Sequence, residues 1–175
     1  MNEVLAGLLA DLYPSLDAVA LHARIRDRLK GIEPRSGRGH LWSESDVAMI
    51  AYADSVQAVG TSPLQSLTRL LNGHFRDVVS HVHLLPFFPF TSDDGFAVSD
   101  YRSVDPSNGD WADVEALSQE VDLIFDLVIN HASSKHHHFQ EFLNDQSPGN
   151  AYFKTASEST DVSSVTRPRA SPLLQ

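Results

Sequence analysis

Between residues 83 and 106 the chain reads HLLPFFPFTSDDGFAVSDYRSVDP. Asp93, Asp94, Phe96, Asp100 and Tyr101 follow at once on an apolar run that belongs in a core. A carboxylate such as Asp93 presents several acceptor sites to hydroxyl donors. A ring such as Phe96 presents an apolar face to the C–H face of a pyranose. Together they suit recognition of sugar hydroxyls, although Asp93 and Asp94 before Gly95 also fit a solvated acidic turn. A second set of candidates is Asn130 and His131, which lead into ASSKHHHF. An imidazole at such a place can donate to a ligand hydroxyl or pin a loop. Tyr52 and Asp54 end a third apolar run. Asp126 lies inside LIFDLVIN, where an ionised carboxylate needs partners, so it reads as a hydrogen-bonded anchor for nearby loops.

Other motifs point to less. His136, His137 and His138 are adjacent, and neighbours on a helix point in different directions, so they do not converge on one ion. There is no cysteine, hence neither a disulfide nor a thiolate metal site. Arg167 and Arg169, in the triplet RPR, fit either a surface loop or a fork for an anion such as phosphate. The sequence contains no glycine-rich phosphate loop, GxSxG elbow or dinucleotide fingerprint.

The elements that must position these groups can be read from periodicity. Three short, nearly continuous apolar runs occupy 46–54, 78–86 and 121–131. Runs of that length suit strands of a parallel sheet covered on both faces. Between the first two, Ser62, Pro63 and Gln65 supply an N-cap, a first-turn proline and a capping-box partner. Leu64, Leu67, Leu70 and Leu71 follow at helical spacing, and Gly73 is placed for a stop. Asp110 precedes a second helical segment carrying Trp111, Val114 and Leu117. The order implies right-handed βα units. Ahead of them, Val4, Leu5, Leu8, Leu9 and Leu12 form one helix ended by Pro14. A second is capped by Ser15, carries Ala18, Leu21, Ile25 and Leu29, and stops at Gly31. Residues 31–45 read as a linker. After His131 the periodicity fades, as in the first part of a larger domain.

With 13 basic and 23 acidic residues the formal net charge is −10, which argues against nucleic acid or an anionic membrane as the main partner. The N-terminus has Glu3 and Asp11 and no basic region, unlike a secretory signal. No apolar run approaches the ~20 residues of a spanning helix. A cytoplasmic setting is the expectation.

DLVINH (126–131) resembles the first signature region of the α-amylase superfamily. The stretch 83–111 is similar to the segment after the second barrel strand in its sucrose phosphorylase and amylosucrase branches. VTRPRASPLL (165–174) resembles the early B domain of the sucrose phosphorylase branch. The resemblance implies an α/β fold, part of a (β/α)8 barrel. An N-terminal helical extension would span 1–45, the first three barrel units 46–131, and the start of the B domain 132–175. It implies retaining glucosyl transfer through a covalent intermediate, with inorganic phosphate as co-substrate, a small carbohydrate as partner, and neither cofactor nor metal. By the same resemblance Asp93 holds the donor glucose, Phe96 lies beneath its ring, His131 hydrogen-bonds it near the reacting carbon, and Arg169 serves the acceptor or phosphate. The family's catalytic carboxylates lie on later strands, so none is expected here and the chain alone is expected to be inactive. A hydrolase of α-glucosides, or a truncated product that binds sugar weakly, stays open beside a phosphorylase, as does the acceptor: fructose, fructose 6-phosphate or glycerate.

Overall fold

A computed structural model describes residues 2–32 and 43–166. Two compact units are present, Met1–Trp42 and Ser43–Gln175. In the first, α1 (Asn2–Leu12) and α2 (Ala18–Leu29) pack against each other. α1 stops just ahead of Pro14, which cannot donate to the helix. Ser15 does not cap α2 as expected. Asp17 does, its Oδ1 accepting from the amides of Val19 (2.9 Å) and Ala20 (3.2 Å). Gly31 follows the helix at φ +89°, a conformation that glycine adopts cheaply.

In the second unit three strands pair in parallel: β1 (Ala48–Ala51), β2 (His81–Leu84) and β3 (Asp122–Phe125), in that order. Their register aligns Met49, Val82 and Leu123, and then Ala51, Leu84 and Phe125. Those six residues share one face, since side chains alternate along a strand. Against this face lie α3 (Pro63–Leu70) and α4 (Trp111–Glu120). The core is built from Leu64, Leu67 and Leu71 beside Val114 and Leu117, over Val82 and Leu84.

Of the two faces expected to be covered, the described residues cover one. Successive right-handed crossovers in one direction place both helices on the same side. The opposite face carries Ala48, Ile50, His81, His83, Asp122 and Ile124, and Ile50 is 67 % exposed. The strands are also shorter than the apolar runs. Each is four residues long, because a ladder extends only where all three chains run side by side. Pro86, two residues beyond β2, lacks the amide that further pairing would need. Among the described residues no helix is long and apolar enough to cross a membrane.

Helix ends follow local chemistry with two exceptions. Ser62 caps α3 by accepting from the Gln65 amide at 3.2 Å, with Pro63 in the first turn. Gln65, however, does not close a capping box. Its side chain donates to Asp113 Oδ1 in α4 at 2.7 Å. Nor does Gly73 stop the helix, for the chain continues as one wide π-turn over Leu71–Phe75. α4 has the reciprocal box: Asp110 accepts from the Asp113 amide (3.1 Å), and Asp113 accepts from the Asp110 amide (3.2 Å). Asp113 Oδ2 also accepts from Ser62 Oγ at 2.9 Å. One carboxylate thus joins the N-termini of both helices on the core face. Asp113→Ala removes all of these acceptors and is expected to cost about 1–3 kcal/mol in chemical denaturation. Asp110→Ala removes one cap and should cost about 1 kcal/mol. Equal losses from the two variants would mean that the bonds from Asp113 to α3 add nothing.

Candidate functional site

In parallel α/β sheets functional groups gather beyond the C-terminal ends of the strands. Here that rim is built by the β2–α4 connection, residues 85–110, and by the segment after β3. The connection starts in the core. Phe87 is fully enclosed, stacking on Phe88 (ring centroids 4.6 Å) and meeting Phe125 (5.3 Å) and Trp111 (5.7 Å) edge-on. It then doubles back. Phe90 and Val98 bridge in antiparallel fashion, and the Ser99 amide donates to the Pro89 carbonyl at 2.8 Å.

Asp93, Asp94 and Phe96 sit at the tip of this hairpin. Asp93–Gly95 form one 3-10 turn, closed by the Phe96 amide donating to the Asp93 carbonyl at 2.9 Å. Three consecutive residues have positive φ: Asp93 at 62°, Asp94 at 48° and Gly95 at 100°. The left-handed region is costly for residues with a Cβ, and aspartate is among the few that tolerate it. Gly95 has no alternative, since a Cβ there would lie 2.7 Å from the Pro86 carbonyl oxygen. The tip is therefore pressed against the chain leaving β2. Asp93 is exposed and Phe96 is half-buried.

The segment after β3 carries Asp126, Asn130 and His131. Asp126 is anchored as expected: its Oδ2 lies 3.0 Å from His83 Nε2, on the open face of the sheet. His131 is exposed, with Nδ1 2.9 Å from Asn130 Oδ1. An amide oxygen only accepts, so Nδ1 donates in this bond and Nε2 is left for a ligand hydroxyl. The segment lacks regular structure, and its backbone is held by the hairpin. The Ser133 amide donates to the Val98 carbonyl at 2.9 Å, and Ser133 Oγ lies 2.7 Å from Thr91 Oγ1. The Tyr101 hydroxyl donates to the Val128 carbonyl at 2.6 Å, with the His131 carbonyl 3.3 Å away. Burial pushes the Tyr101 hydroxyl pKa up, so it stays a donor. The loop carrying Asp93 and Phe96 is thus bonded directly to the loop carrying His131.

His131 lines a cavity of about 560 Å3 together with Tyr101, His136, His138, Tyr152 and Phe153. Asp93 and Phe96 are not part of its lining. Arg169 lies outside the described residues. The three histidines do not diverge as their spacing suggested. His136 is extended and caps α5 (His137–Leu143), its Nδ1 accepting from the His138 amide at 3.2 Å. The rings of His136, His137 and His138 therefore gather, His136 stacking on His137 at 4.6 Å and His138 lying tilted against His137 at 3.8 Å. His138 Nδ1 meets Glu141 Oε2 at 2.8 Å.

Sequence reasoning placed Tyr101 among the residues after the apolar run and weighed His136 only as part of a metal triplet; it missed that Tyr101 ties the two loops and that His136 caps a helix. Their signal was a polar ring beside apolar residues, which many solvent-exposed positions share. His136 is 4 % exposed, and its ring lies 5.3 Å from that of Tyr101. Burial pushes its pKa down, helped by the neighbouring imidazoles of His137 and His138. Asp100 lies below the usual carboxylate range because Ser103 Oγ (2.6 Å) and the Arg102 amide (2.8 Å) both donate to it.

Comparison with known proteins follows the same elements. Residues 78–171 match the family model of the alpha amylase catalytic domain. The chain is 45 % identical over 157 residues to glucosylglycerate phosphorylase of Allomeiothermus silvanus, covering 90 % of this chain and 28 % of that one. It is 43 % identical over 94 residues to sucrose phosphorylase of Streptococcus mutans, covering 54 % and 19 %. Among solved structures it resembles sucrose 6F-phosphate phosphorylase from Thermoanaerobacter thermosaccharolyticum. There the TM-score is 0.53 and the identity 35 %, over 62 % of this chain and 21 % of that one. The chain thus spans roughly a fifth to a quarter of the relatives' lengths.

Two measurements check the rim. Gly95→Ala places a Cβ against Pro86 at a left-handed φ, so a loss of about 1–2 kcal/mol in chemical denaturation is expected; no loss would mean that the turn is not constrained. His136 has a folded pKa below the unfolded value of about 6.5, so the unfolded chain takes up the proton first. Its contribution is therefore present at neutral pH and is lost as pH falls below that value toward the folded pKa. His136→Asn keeps a capping acceptor but cannot titrate. The gap in thermal unfolding midpoint between wild type and variant should narrow from pH 7.5 to pH 5.5. A gap that widens on acidification would refute the buried, neutral imidazole.

Proposed function

The chain belongs to the alpha-amylase family, and from that premise we propose that it forms part of a retaining α-glucosyl phosphorylase whose donor is glucosylglycerate. Three parallel strands joined by two crossover helices match part of the family's (β/α)8 barrel. The observation that carries the donor assignment is the reach of the likeness. A 157-residue match covering 90 % of the chain cannot be contained in Ser43–Gln175, so it extends into the helical first unit. The matches to sucrose phosphorylases cover 54 % to 72 % of the chain at 32–43 % identity, less on both counts than this one.

In this reading the donor glucose is gripped from two loops. Asp93 accepts hydrogen bonds from its hydroxyls, Phe96 lies under the ring, and His131 hydrogen-bonds a further hydroxyl near the reacting carbon. The bonds from Tyr101 and Ser133 to the segment after β3 support that arrangement, because they keep both loops at one rim. Arg169 pairs with phosphate through its planar fork. The overall reaction is a double displacement. A carboxylate of the whole enzyme displaces glycerate, which leaves with a proton from a general acid. Phosphate then attacks the glucosyl–enzyme bond, releasing glucose 1-phosphate with its anomeric configuration retained. No residue of this chain is assigned the attacking or protonating role; its part is to bind and orient.

The test is phosphorolysis by the full-length protein with glucosylglycerate, sucrose and sucrose 6-phosphate. Glucose 1-phosphate should form fastest from glucosylglycerate. Free glucose in place of glucose 1-phosphate would assign a hydrolase, and no glucose 1-phosphate from any donor would defeat the proposal. Asp93→Asn should lower kcat/KM by roughly ten- to a hundredfold, the range for one lost charged hydrogen bond. Arg169→Ala should raise the KM for phosphate and leave the donor KM unchanged.

A further inference from the structure

A second hollow, of about 310 Å3, opens between the C-terminal ends of β1 and β2. Its walls come from three stretches: Tyr52 and Asp54 after β1, Phe90 and Asp94 in the hairpin, and Ser107 and Asn108 before α4. We propose that this hollow is a separate binding site for an uncharged sugar or polyol ring, held by Tyr52, Asp54, Asp94 and Asn108. The proposal does not depend on glucosyl transfer, and it uses none of the residues assigned above to the donor glucose.

The chemistry of the walls selects the ligand. Tyr52 and Phe90 are 38 % and 45 % exposed, although each adjoins a buried stretch of chain. Exposed rings beside a small hollow offer flat apolar faces to the C–H face of a ring, and a few polar groups around them fix its orientation. Those polar groups are present and unused. Among the described residues the Asp54 and Asp94 carboxylates, the Tyr52 hydroxyl and the Asn108 side-chain amide make no hydrogen bond. Carboxylates accept, an amide does both, and a phenol can donate, so together they match a ligand rich in hydroxyls. Among the described residues no lysine, arginine or histidine lines the hollow. Two carboxylates without a counter-charge repel phosphate and carboxylate ligands, which leaves the neutral class.

The walls are also preformed. Ala53, between Tyr52 and Asp54, is 2 % exposed and belongs to the core. The Asn108 backbone is fixed at both ends, its amide donating to the Asp105 carbonyl (2.8 Å) and its carbonyl accepting from the Leu64 amide (3.1 Å). Phe90 is held by its bridge to Val98. A ligand would therefore order little backbone on binding, which keeps its entropic cost low.

The experiment is a titration of the protein with methyl α-glucoside, followed by amide chemical shifts. Residues 52–54 and 107–108 report this hollow, and residues 96 and 131 report the donor site. Shifts are expected at 52–54 and 107–108, with affinity there falling roughly tenfold in Tyr52→Ala and in Asp54→Asn. Both substitutions are at exposed positions, and an unchanged spectrum elsewhere confirms the fold. Inorganic phosphate should leave the 52–54 and 107–108 signals unmoved. Glucoside shifts confined to 96 and 131 would overturn this site and leave the donor assignment standing. Shifts at 52–54 that survive both substitutions would overturn the assigned contacts. Shifts produced by calcium and not by glucoside would make the hollow a cation site and end the proposal. Silence at both sets of residues would defeat both assignments.

Discussion

A backbone without regular structure can stay near a core only if its amides and carbonyls find partners. That constraint governs the rim of this protein. The segment after β3 leaves the ladder at Phe125 and has no neighbouring strand to satisfy it. Its partners come from a single hairpin: Val98 accepts from Ser133, and Tyr101 donates to Val128. Each such bond contributes modestly, about 1 kcal/mol net, but leaving a buried carbonyl unpaired costs more. The two loops are consequently one structure. The hairpin can serve this way because its base is enclosed by Phe87, Phe88, Trp111 and Phe125, while its tip turns tightly on Asp93–Gly95.

The sheet beneath shows a related economy. Both crossover helices lie on one face, and Asp113 couples their N-termini. The other face keeps its polar groups engaged across strands, with His83 against Asp126 and His81 near Asp122. Cover on one side alone is what successive crossovers in one direction produce, and it is the arrangement of a strand set that curves toward a barrel. Functional groups then accumulate beyond the strand ends, where two hollows with no shared lining residue are found. Their linings differ in charge. Around His131 the lining includes imidazoles, Arg102 and Lys154, whereas among the described residues the charged groups of the hollow beside Tyr52 are the carboxylates of Asp54 and Asp94.

Much of this was legible from the chain alone, and the failures have identifiable causes. Ser62, Pro63 and Asp110 marked helix starts correctly because a cap is made within three or four residues of itself. Ser15 was misjudged against Asp17 for the same local reason: two acceptors compete, and the carboxylate is the stronger. The parallel strands were visible as apolar runs, but their ends were not. A run records hydrophobicity, while a strand ends where its partner ends. Gln65 was assigned to its own helix and bonds instead to a carboxylate 48 residues away. The histidine triplet was taken to diverge, yet His136 stands outside the helix as its cap, and the three rings lie against one another.

The sequence by itself determined the three parallel strands and the starts of α3 and α4, since each depends on near neighbours and on hydrophobic period. Only the tertiary structure decided which face of the sheet is covered, that Tyr101 holds the segment of His131, and that Tyr52, Asp54, Phe90, Asp94 and Asn108 share one hollow. Those outcomes rest on contacts between residues far apart in the chain. Residue order constrains such meetings weakly, and packing settles them.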